Sequence, residues 1–435
     1  MKIIAIDNLR IYPTDLTVKN AFAGEIIPLN ERILSIGDLH GNAIKLIHIL
    51  RLFGVMTLQN AADYEVLLNI YDKETMCLTL NELERFKEIL DQATINKPGL
   101  LIFIGDEFAD RGSNDYFTAL VLDKLHHSQV AYRIHLSNHG LIALEYITTH
   151  VRKTLGGPGQ TQSLDNLIGL FAKFPTTEST FRAIFSDAYL KHLSLVGYTL
   201  KDKLTIYAHA PIDIYTIEKL AILFGVPIKW DTMDNIVGMI DRINEIALAA
   251  INSNTFFKCY INVSSYQRSA GATAHMQQYD FHSFFDRTDP SVSNPIYELL
   301  WNRQYETGAI SGRLEHDDYL FVHGHIGKKM VPLAGYFNLD NCLGKPKEIR
   351  IDRQTGQPWI DPFTGRESYI PADDKGNLIT TLRQVDPADR KGAYLSNSQK
   401  PIDLPLVVVV GYFSTASQWL ADDGQSAAKI PRLDP

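Results

Sequence analysis

The chain has 435 residues, of which 45% are hydrophobic and 21% are charged, and its formal net charge at neutral pH is −8. This composition is typical of a globular protein with a large core, and the acidic balance argues against a general nucleic-acid-binding protein, which usually carries an excess of lysine and arginine. Three cysteines are too few for a disulfide framework or a zinc finger, so we expect a reducing compartment.

Neither end of the chain carries a pattern typical of membrane insertion. The apolar run at the N-terminus is too short for a signal peptide. The run at residues 404–410 falls far short of the roughly 20 residues that span a bilayer. We therefore expect a soluble protein without a transmembrane segment.

Short apolar, β-branched runs recur along the chain, and each is followed by a polar turn. They are ILSIGD from residue 33, LLIFIGD from 100, YRIHLSNH from 132, LTIYAHA from 204 and YLFVHGH from 319. Each run predicts a buried strand, and the helical patterns NAIKLIHILRLF and YFTALVLDKLHH separate the first three. This alternation predicts an α/β fold, in which ligands bind at the carboxyl ends of the strands.

Two segments, residues 55–98 and 212–295, interrupt this pattern with further helices. In the first, Thr79 and Glu82 form a capping box that opens an amphipathic helix. The sequence leaves open whether these insertions pack against the core or form a recognition surface. We expect a single catalytic domain over residues 1–435, with residues 345–435 adding strands and loops that complete it.

Polar motifs follow the predicted strands in a fixed order. They are GDLHG at 37–41, GDEFADRG at 105–112, SNHG at 137–140, His209, and the pair His323 and His325. A single Gly-Asp is usually a turn, and a single buried histidine is usually a satisfied core residue. Together, carboxylates, imidazoles and an amide oxygen suit divalent metals, and two metals about 3.5–4 Å apart are a known arrangement for phosphate-ester hydrolysis.

The order of these motifs resembles that of the PPP-type, calcineurin-like metallophosphoesterase family, which reads GDxHG, GDxxDRG and GNHE and then has two separate histidines. LLWNR at 299–303 is similar to the family's LLWSx stretch, and NLDNCLGK at 338–345 is similar to its IDxGxxxG strand. The resemblance covers residues 34–344, apart from the insertions. It implies two facing mixed β-sheets flanked by helices, a four-layer αββα fold.

The resemblance also implies roles for individual residues. Asp38 and His40 would bind the first of two divalent cations, and Asp106 would bridge both. Asn138, His209 and His325 would complete the second site. Manganese is the expected metal, with iron, zinc and magnesium as alternatives, and the nucleophile would be a hydroxide that bridges the two metals.

The catalytic residues implied by the resemblance follow the same motifs. His139 would be the general acid, with Asp110 holding its imidazole through the other nitrogen. Arg111 and Arg303 would clamp the phosphoryl oxygens, since planar bidentate donors suit that task. A surface salt bridge is the alternative role for Arg303.

The chain departs from the family pattern at several positions. GDEFADRG has one residue more than usual, so a bulge must realign Asp110 and Arg111. SNHG lacks the usual acidic residue, for which Glu145 is either a substitute or an exposed helix residue. His323 either lines the site or forms a hydrogen bond within its strand, and the latter is favoured. Two lysines after the last glycine, Lys328 and Lys329, are expected to be solvated.

The helical insertions resemble those of the Wip effector phosphatases that Legionella injects into host cells. This closer resemblance implies activity on phosphotyrosine in phosphoproteins, host signalling proteins as partners, and secretion into the host cytoplasm. Without this resemblance, the expected location is the cytoplasm of the cell that makes the protein. The alternatives are a Ser/Thr phosphoprotein phosphatase, a dinucleoside polyphosphate hydrolase and an inactive binding scaffold with the same fold. A nuclease is disfavoured because no basic, aromatic-rich groove pattern is present.

Overall fold

The structure is a computed structural model of the whole chain. The residues that it describes are 29–31, 33–60, 62–150, 160–200, 204–260, 295–302, 319–325 and 336–340. It also describes strand backbones at 4–6, 9–13, 153–154, 277–278, 348–352, 380–384 and 405–410.

Strands and helices alternate through most of the described chain. The strands are β1 Ile4–Ile6, β2 Leu9–Pro13, β3 Ile33–Ile36, β4 Met56–Thr57, β5 Thr94–Ile95, β6 Leu100–Phe103, β7 Tyr132–His135, β8 Lys153–Thr154, β9 Leu193–Ser194, β10 Gly197–Leu200, β11 Leu204–Tyr207, β12 Gln277–Gln278, β13 Tyr319–His323, β14 Tyr336–Asn338, β15 Glu348–Asp352, β16 Thr380–Gln384 and β17 Pro405–Val410. The helices are α1 Ala43–Leu52, α2 Asp63–Tyr71, α3 Leu80–Gln92, α4 Asp115–His127, α5 Asn138–Thr149, α6 Gln162–Lys173, α7 Thr176–Ile184, α8 Ile214–Leu223, α9 Met233–Asn252, α10 Phe256–Cys259 and α11 Pro295–Trp301. All five predicted buried strands are confirmed, as β3, β6, β7, β11 and β13.

The larger sheet has seven strands in the order β1-β2-β17-β3-β6-β7-β9. Strands β3, β6, β7 and β9 are parallel, as expected for strands joined through helices. β17 lies between β2 and β3 and is antiparallel to both. The C-terminal run of valines therefore completes the sheet that carries the first three motifs.

The smaller sheet has four strands in the order β10-β11-β13-β14. β11, β13 and β14 are parallel, and β10 pairs with β11 in the antiparallel direction. The carboxyl ends of β11 and β13 carry the two separated histidine motifs. The fold is thus α/β with parallel and antiparallel strands in both sheets, as the sequence predicts.

Alternate residues of the strands face two different apolar clusters. In β6, Leu101 and Phe103 pack in the large cluster with the helices, whereas Leu100 and Ile102 pack in a smaller one. That smaller cluster also contains Tyr207 and Val322 from the second sheet. Since side chains alternate across a strand, the central strands are covered on both faces.

The helices of the two predicted insertions are present. The capping box opening α3 is confirmed, because the Glu82 amide donates to Thr79 Oγ1 at 3.3 Å and the Thr79 amide donates to Glu82 Oε2 at 3.0 Å. The apolar faces of α2, α3 and α9 all belong to the large core cluster. Within the described residues, no helix combines the length and the apolar character that crossing a membrane requires.

Candidate active site

The six side chains predicted to bind metal converge at one place in the fold. They lie within four residues of the ends of β3, β6 and β7 in the larger sheet and of β11 and β13 in the smaller one. Within each sheet, parallel strands bring their carboxyl ends to one edge. None of the six residues is more than 5% exposed. The structure therefore brings together residues that are up to 287 positions apart, as shown by the His325 amide donating to Asp38 Oδ2 at 2.9 Å.

Ligand atoms of this cluster lie within 4.8 Å of one another in three overlapping groups. The groups are Asp38 with Asp106 and His209, Asp38 with His40 and Asp340, and His40 with Asp106 and Asp110. Asp106 belongs to two of them, one with His209 and one with His40, and Asp38 and His40 each belong to two as well. The groups therefore form one continuous cluster.

Two imidazoles of the cluster are each anchored through Nδ1. His40 Nδ1 lies 3.0 Å from Asp110 Oδ2, and His209 Nδ1 lies 3.1 Å from the Ile104 carbonyl oxygen. The Nε2 atom of His40 lies 3.3 Å from Asp340 Oδ1, and that of His209 lies 2.8 Å from Asn138 Oδ1. Metal-binding histidines usually have such a partner on the second nitrogen, which fixes the tautomer. Burial lowers the pKa of His209 and so favours the neutral ring.

Two glycines allow the ligand loops to approach each other closely. A methyl group on Gly324 would lie 1.7 Å from Asp38 Oδ1, and one on Gly105 would lie 2.6 Å from His209 Nδ1. Gly105 also has a φ of +133°, which side chains rarely permit. The predicted ligands His40 and Asp106 have φ values of +58° and +59°. Gly105 and Gly324 are therefore required by the close packing of the predicted ligand side chains.

The enlarged second motif makes a left-handed turn at Ala109, where φ is +57°. Asp110 is thereby aimed at three basic side chains. Its Oδ1 lies 3.0 Å from an Arg111 Nη atom and 3.4 Å from His139 Nε2, and its Oδ2 faces His40. Burial raises the pKa of Asp110, but the charges of His139 and Arg111 and the hydrogen bond with His40 outweigh it, so the pKa is held well below its usual range.

The position of His139 differs in one respect from the expected one. Its Nδ1 is held by the Ala109 carbonyl at 2.6 Å, and the nitrogen nearest Asp110 is Nε2. The backbone of the enlarged motif, rather than Asp110, therefore holds Nδ1. Arg111 is 20% exposed at its side chain and donates a second hydrogen bond to Gln160 Oε1.

The unusual third motif has a structural explanation. Ser137 Oγ accepts from the amide of Gly140 at 2.8 Å, which caps α5, and from the amide of Asp106 at 3.0 Å. A methyl group on Gly140 would lie 2.6 Å from the Tyr189 hydroxyl, so that hydroxyl occupies the space an acidic side chain would need. The interpretation of Glu145 as an exposed helix residue is wrong, since it is 6% exposed in the buried part of α5.

The remaining predicted residues have different outcomes. His323 is buried and its Nδ1 lies 3.0 Å from the Gly324 carbonyl oxygen, which confirms the local hydrogen bond. Arg303, Lys328 and Lys329 lie outside the described residues.

Sequence reasoning missed two residues at the cluster. Asp340, which is 1% exposed, faces His40. It belongs to the NLDNCLGK stretch, from which no ligand was assigned. Lys45 is 1% exposed on α1, and its Nζ donates to the Asp38 carbonyl. Its position within the apolar pattern of α1 was the available signal.

Comparison with known proteins places the chain in a family. The family model described as "WipA-like, phosphatase domain" matches residues 100–345, which is more than half of the chain. The chain belongs to this WipA-like phosphatase family. The matched region contains Asp106, Asn138 and His209, whereas Asp38 and His40 precede it.

A solved structure supports the same assignment at the level of fold. The phosphatase domain of the Legionella effector WipB matches with a TM-score of 0.55 and 24% identity, over 67% of this chain and 98% of that chain. No match was found among curated proteins. The predicted resemblance to the Wip effector phosphatases is confirmed, and the chain carries a phosphatase domain.

Proposed function

We propose that this WipA-like domain is a metal-dependent phosphoprotein phosphatase that hydrolyses phosphate monoesters with two divalent cations. The observation that carries the proposal is the buried cluster of three overlapping ligand groups, in which Asp38, His40 and Asp106 each belong to two. A structural core has no need to gather carboxylates and imidazoles at one point, because burying ionised groups costs free energy unless they are paired or bind a metal.

The donor set suits such cations. Carboxylate, imidazole and amide-oxygen donors fit manganese, with iron, zinc and magnesium as alternatives. Asp106 Oδ1 is buried without a hydrogen-bond partner among the described residues, and buried polar atoms are normally paired. A bound cation would supply the missing partner. Asp38 and His40 would hold the first ion, with Asp340 beside them, and Asp106 would be shared.

The second ion would be held by Asn138, His209 and His325. When bound, the cations would lower the pKa of a water molecule and withdraw charge from the phosphoryl group. The tautomer of His209 is already set for this role, because its Nδ1 faces the Ile104 carbonyl oxygen.

His139 is the proposed general acid, which would protonate the leaving oxygen. With Nδ1 hydrogen-bonded to the Ala109 carbonyl, the proton to be transferred is the one on Nε2. The Asp110 carboxylate lies 3.4 Å from Nε2 and helps to orient the ring. A general acid of this type contributes about 10²–10⁴-fold to the rate.

Arg111 is the proposed phosphate-binding residue within the described part of the chain, and Arg303 is proposed for the same role. The guanidinium of Arg111 is fixed by Asp110 and Gln160 but remains partly exposed. A planar guanidinium is able to donate two parallel hydrogen bonds to phosphoryl oxygens.

The four-layer αββα arrangement is the fold we infer for this domain. It is supported by the smaller apolar cluster, which takes residues from both sheets, and by the larger cluster, which joins the other strand faces to the helices. Sheets that share an apolar interface in this way pack about 10 Å apart.

The proposed substrate is phosphotyrosine in host phosphoproteins, and the proposed location is the host cytoplasm after secretion. Both rest on the relationship to the Wip effector phosphatases, as does an active role of the insertions in binding a protein-sized substrate. Phosphoserine and phosphothreonine proteins are the alternative substrates.

The test uses the purified full chain, stripped of metal and then titrated with Mn²⁺. Peptides that carry phosphotyrosine, phosphoserine or phosphothreonine in one sequence context are compared with p-nitrophenyl phosphate and a dinucleoside polyphosphate. We expect Mn²⁺-dependent release of phosphate, fastest from the phosphotyrosine peptide. Turnover in excess chelator would exclude the metal mechanism, and Mn²⁺ binding without turnover of any substrate would favour the inactive scaffold.

A further inference from the structure

A tyrosine hydroxyl from the first insertion lies between two loops of the active site. Tyr71 is the last residue of α2 and is fully buried. Its hydroxyl donates to the Gly41 carbonyl oxygen at 3.1 Å and accepts from the Ser113 amide at 2.9 Å. One side-chain oxygen therefore connects the GDLHG loop with the loop of the second motif.

The two loops meet where small errors in position matter most. Gly41 directly follows His40, and both have left-handed backbones. Gly112 directly follows Arg111, and a methyl group on Gly112 would lie 1.7 Å from the Gly41 carbonyl oxygen and 2.9 Å from the Tyr71 hydroxyl. The hydroxyl thus lies where the residue after a predicted metal ligand meets the residue after the predicted phosphate-binding arginine.

The residues around Tyr71 strengthen this connection. Asn114 Nδ2, next to Ser113, donates to Thr75 Oγ1 at 3.1 Å, so the turn after α2 holds the second motif at another point. The Tyr71 ring packs edge-on against Phe117 of α4, with centroids 5.7 Å apart. The ring is therefore fixed by packing, and its hydroxyl is held between the two loops by these hydrogen bonds.

We propose that Tyr71 is a positioning residue that sets the distance between the His40 loop and Arg111. The inference rests on the proposed function, because it takes His40 as a metal ligand and Arg111 as a phosphate ligand. It also gives part of the first insertion a role in the chemistry shared by all substrates. Tyr71 precedes the residues matched by the family model, so the family match gives no role to Tyr71.

The test is Tyr71→Phe, which keeps the ring and its packing and removes only the hydroxyl. Tyr64→Phe is the matched control. Tyr64 lies on the same helix, and its hydroxyl is buried without a hydrogen-bond partner among the described residues. The Arg51 guanidinium lies 4.4 Å from the Tyr64 ring centroid. Tyr64→Phe keeps the ring and therefore keeps this contact.

We expect Tyr71→Phe to lower kcat/KM for p-nitrophenyl phosphate and for phosphopeptides by the same factor, about 10–100-fold, since sub-ångström misplacement of binding groups is costly. Inhibition by inorganic phosphate should weaken in parallel. Tyr64→Phe should stay within about twofold of the wild type, as expected for a substitution that breaks no hydrogen bond.

A double-mutant cycle separates positioning from a general loss of stability. If Tyr71 acts through Arg111, then Tyr71→Phe should have a much smaller effect on kcat/KM in an Arg111→Ala background, because coupled residues are not additive. Additive losses, or equal behaviour of Tyr71→Phe and Tyr64→Phe, would overturn the proposal.

The affinity for Mn²⁺, measured by calorimetry on the folded variants, needs no turnover. It should fall about tenfold in Tyr71→Phe, as is typical when a group that orients a ligand is lost, and stay unchanged in Tyr64→Phe. A wild-type protein that binds Mn²⁺ but hydrolyses nothing would contradict the proposed function but not the inference on Tyr71. The Mn²⁺ affinity of Tyr71→Phe would then test that inference alone, and an affinity equal to that of the wild type would overturn it.

Discussion

Replacing Ser137 with alanine should destabilise the fold more than the loss of an ordinary helix cap. The Ser137 hydroxyl accepts two hydrogen bonds, one from the Gly140 amide in the first turn of α5 and one from the Asp106 amide in the neighbouring loop. Ser137 is fully buried. Water therefore cannot easily replace the lost oxygen at either amide.

The expected loss has two parts. Losing a serine cap costs about 0.5–2 kcal/mol of stability. Leaving the buried Asp106 amide without an acceptor costs about 1–3 kcal/mol more. Because both hydrogen bonds end at the same Ser137 oxygen, the total loss of stability should lie at about 2–4 kcal/mol. Asp106 holds a left-handed backbone at φ +59°, so its release should also lower Mn²⁺ affinity about tenfold.

The assay is urea denaturation of the metal-free protein, followed by circular dichroism. Thr79→Ala is the matched control, because Thr79 caps α3 at an exposed position and its loss should cost only about 1 kcal/mol. The difference between the two variants measures the contribution of the Asp106 amide. A loss for Ser137→Ala no larger than that for Thr79→Ala would refute the reasoning.

Three further predictions concern the proposed chemistry and the buried histidines. Asp106→Asn should be the most damaging substitution of a ligand, lowering Mn²⁺-dependent turnover of p-nitrophenyl phosphate more than Asp38→Asn, because it weakens both ion sites. His139→Ala should slow alkyl phosphates by about 10²–10⁴-fold and p-nitrophenyl phosphate far less, since p-nitrophenolate hardly needs a proton; equal losses would point to a binding role. Burial, with a smaller contribution from His126, lowers the pKa of His192 from 6.5 to about 4. Between pH 6.5 and 4, His192 is therefore protonated in the unfolded chain but neutral in the folded chain. Stability should fall between pH 6.5 and 4 by up to about 3 kcal/mol, and His192→Phe, which keeps the stack on Tyr132, should flatten that part of the urea-denaturation profile.

The strands, and the convergence of the predicted ligand residues after them, were predictable because local patterns determine them. A buried strand reads as a short apolar run, and the chain then leaves the sheet at a polar turn, so Asp38 and Asp106 are recognisable as strand-end carboxylates. The capping box at Thr79 is similarly local, since both partners lie within four residues. Parallel strands bring their carboxyl ends to one edge, which is why such residues meet.

The partners of those residues were not predictable from local patterns. Asp340 reaches His40 only because β14 pairs with β13 in a register that no short motif specifies. The position of β17 between β2 and β3 is a similar case, since a run of valines fits many sheet positions. Glu145 was misjudged because the first nine residues of α5 are buried all round, so the helix has no solvent face there.

The two departures from the family motifs contact one another in the folded protein. The extra residue of the second motif places Ala109 in a left-handed turn, from which its carbonyl reaches His139 Nδ1 and its amide donates to Asp115 Oδ2 at 2.8 Å. The serine of the third motif reaches back to the Asp106 amide. Each altered motif thus supplies a hydrogen bond to the other. The departures are therefore better explained as one compensated change in how the motifs are joined than as decay of the site, and this favours an active enzyme over an inactive scaffold.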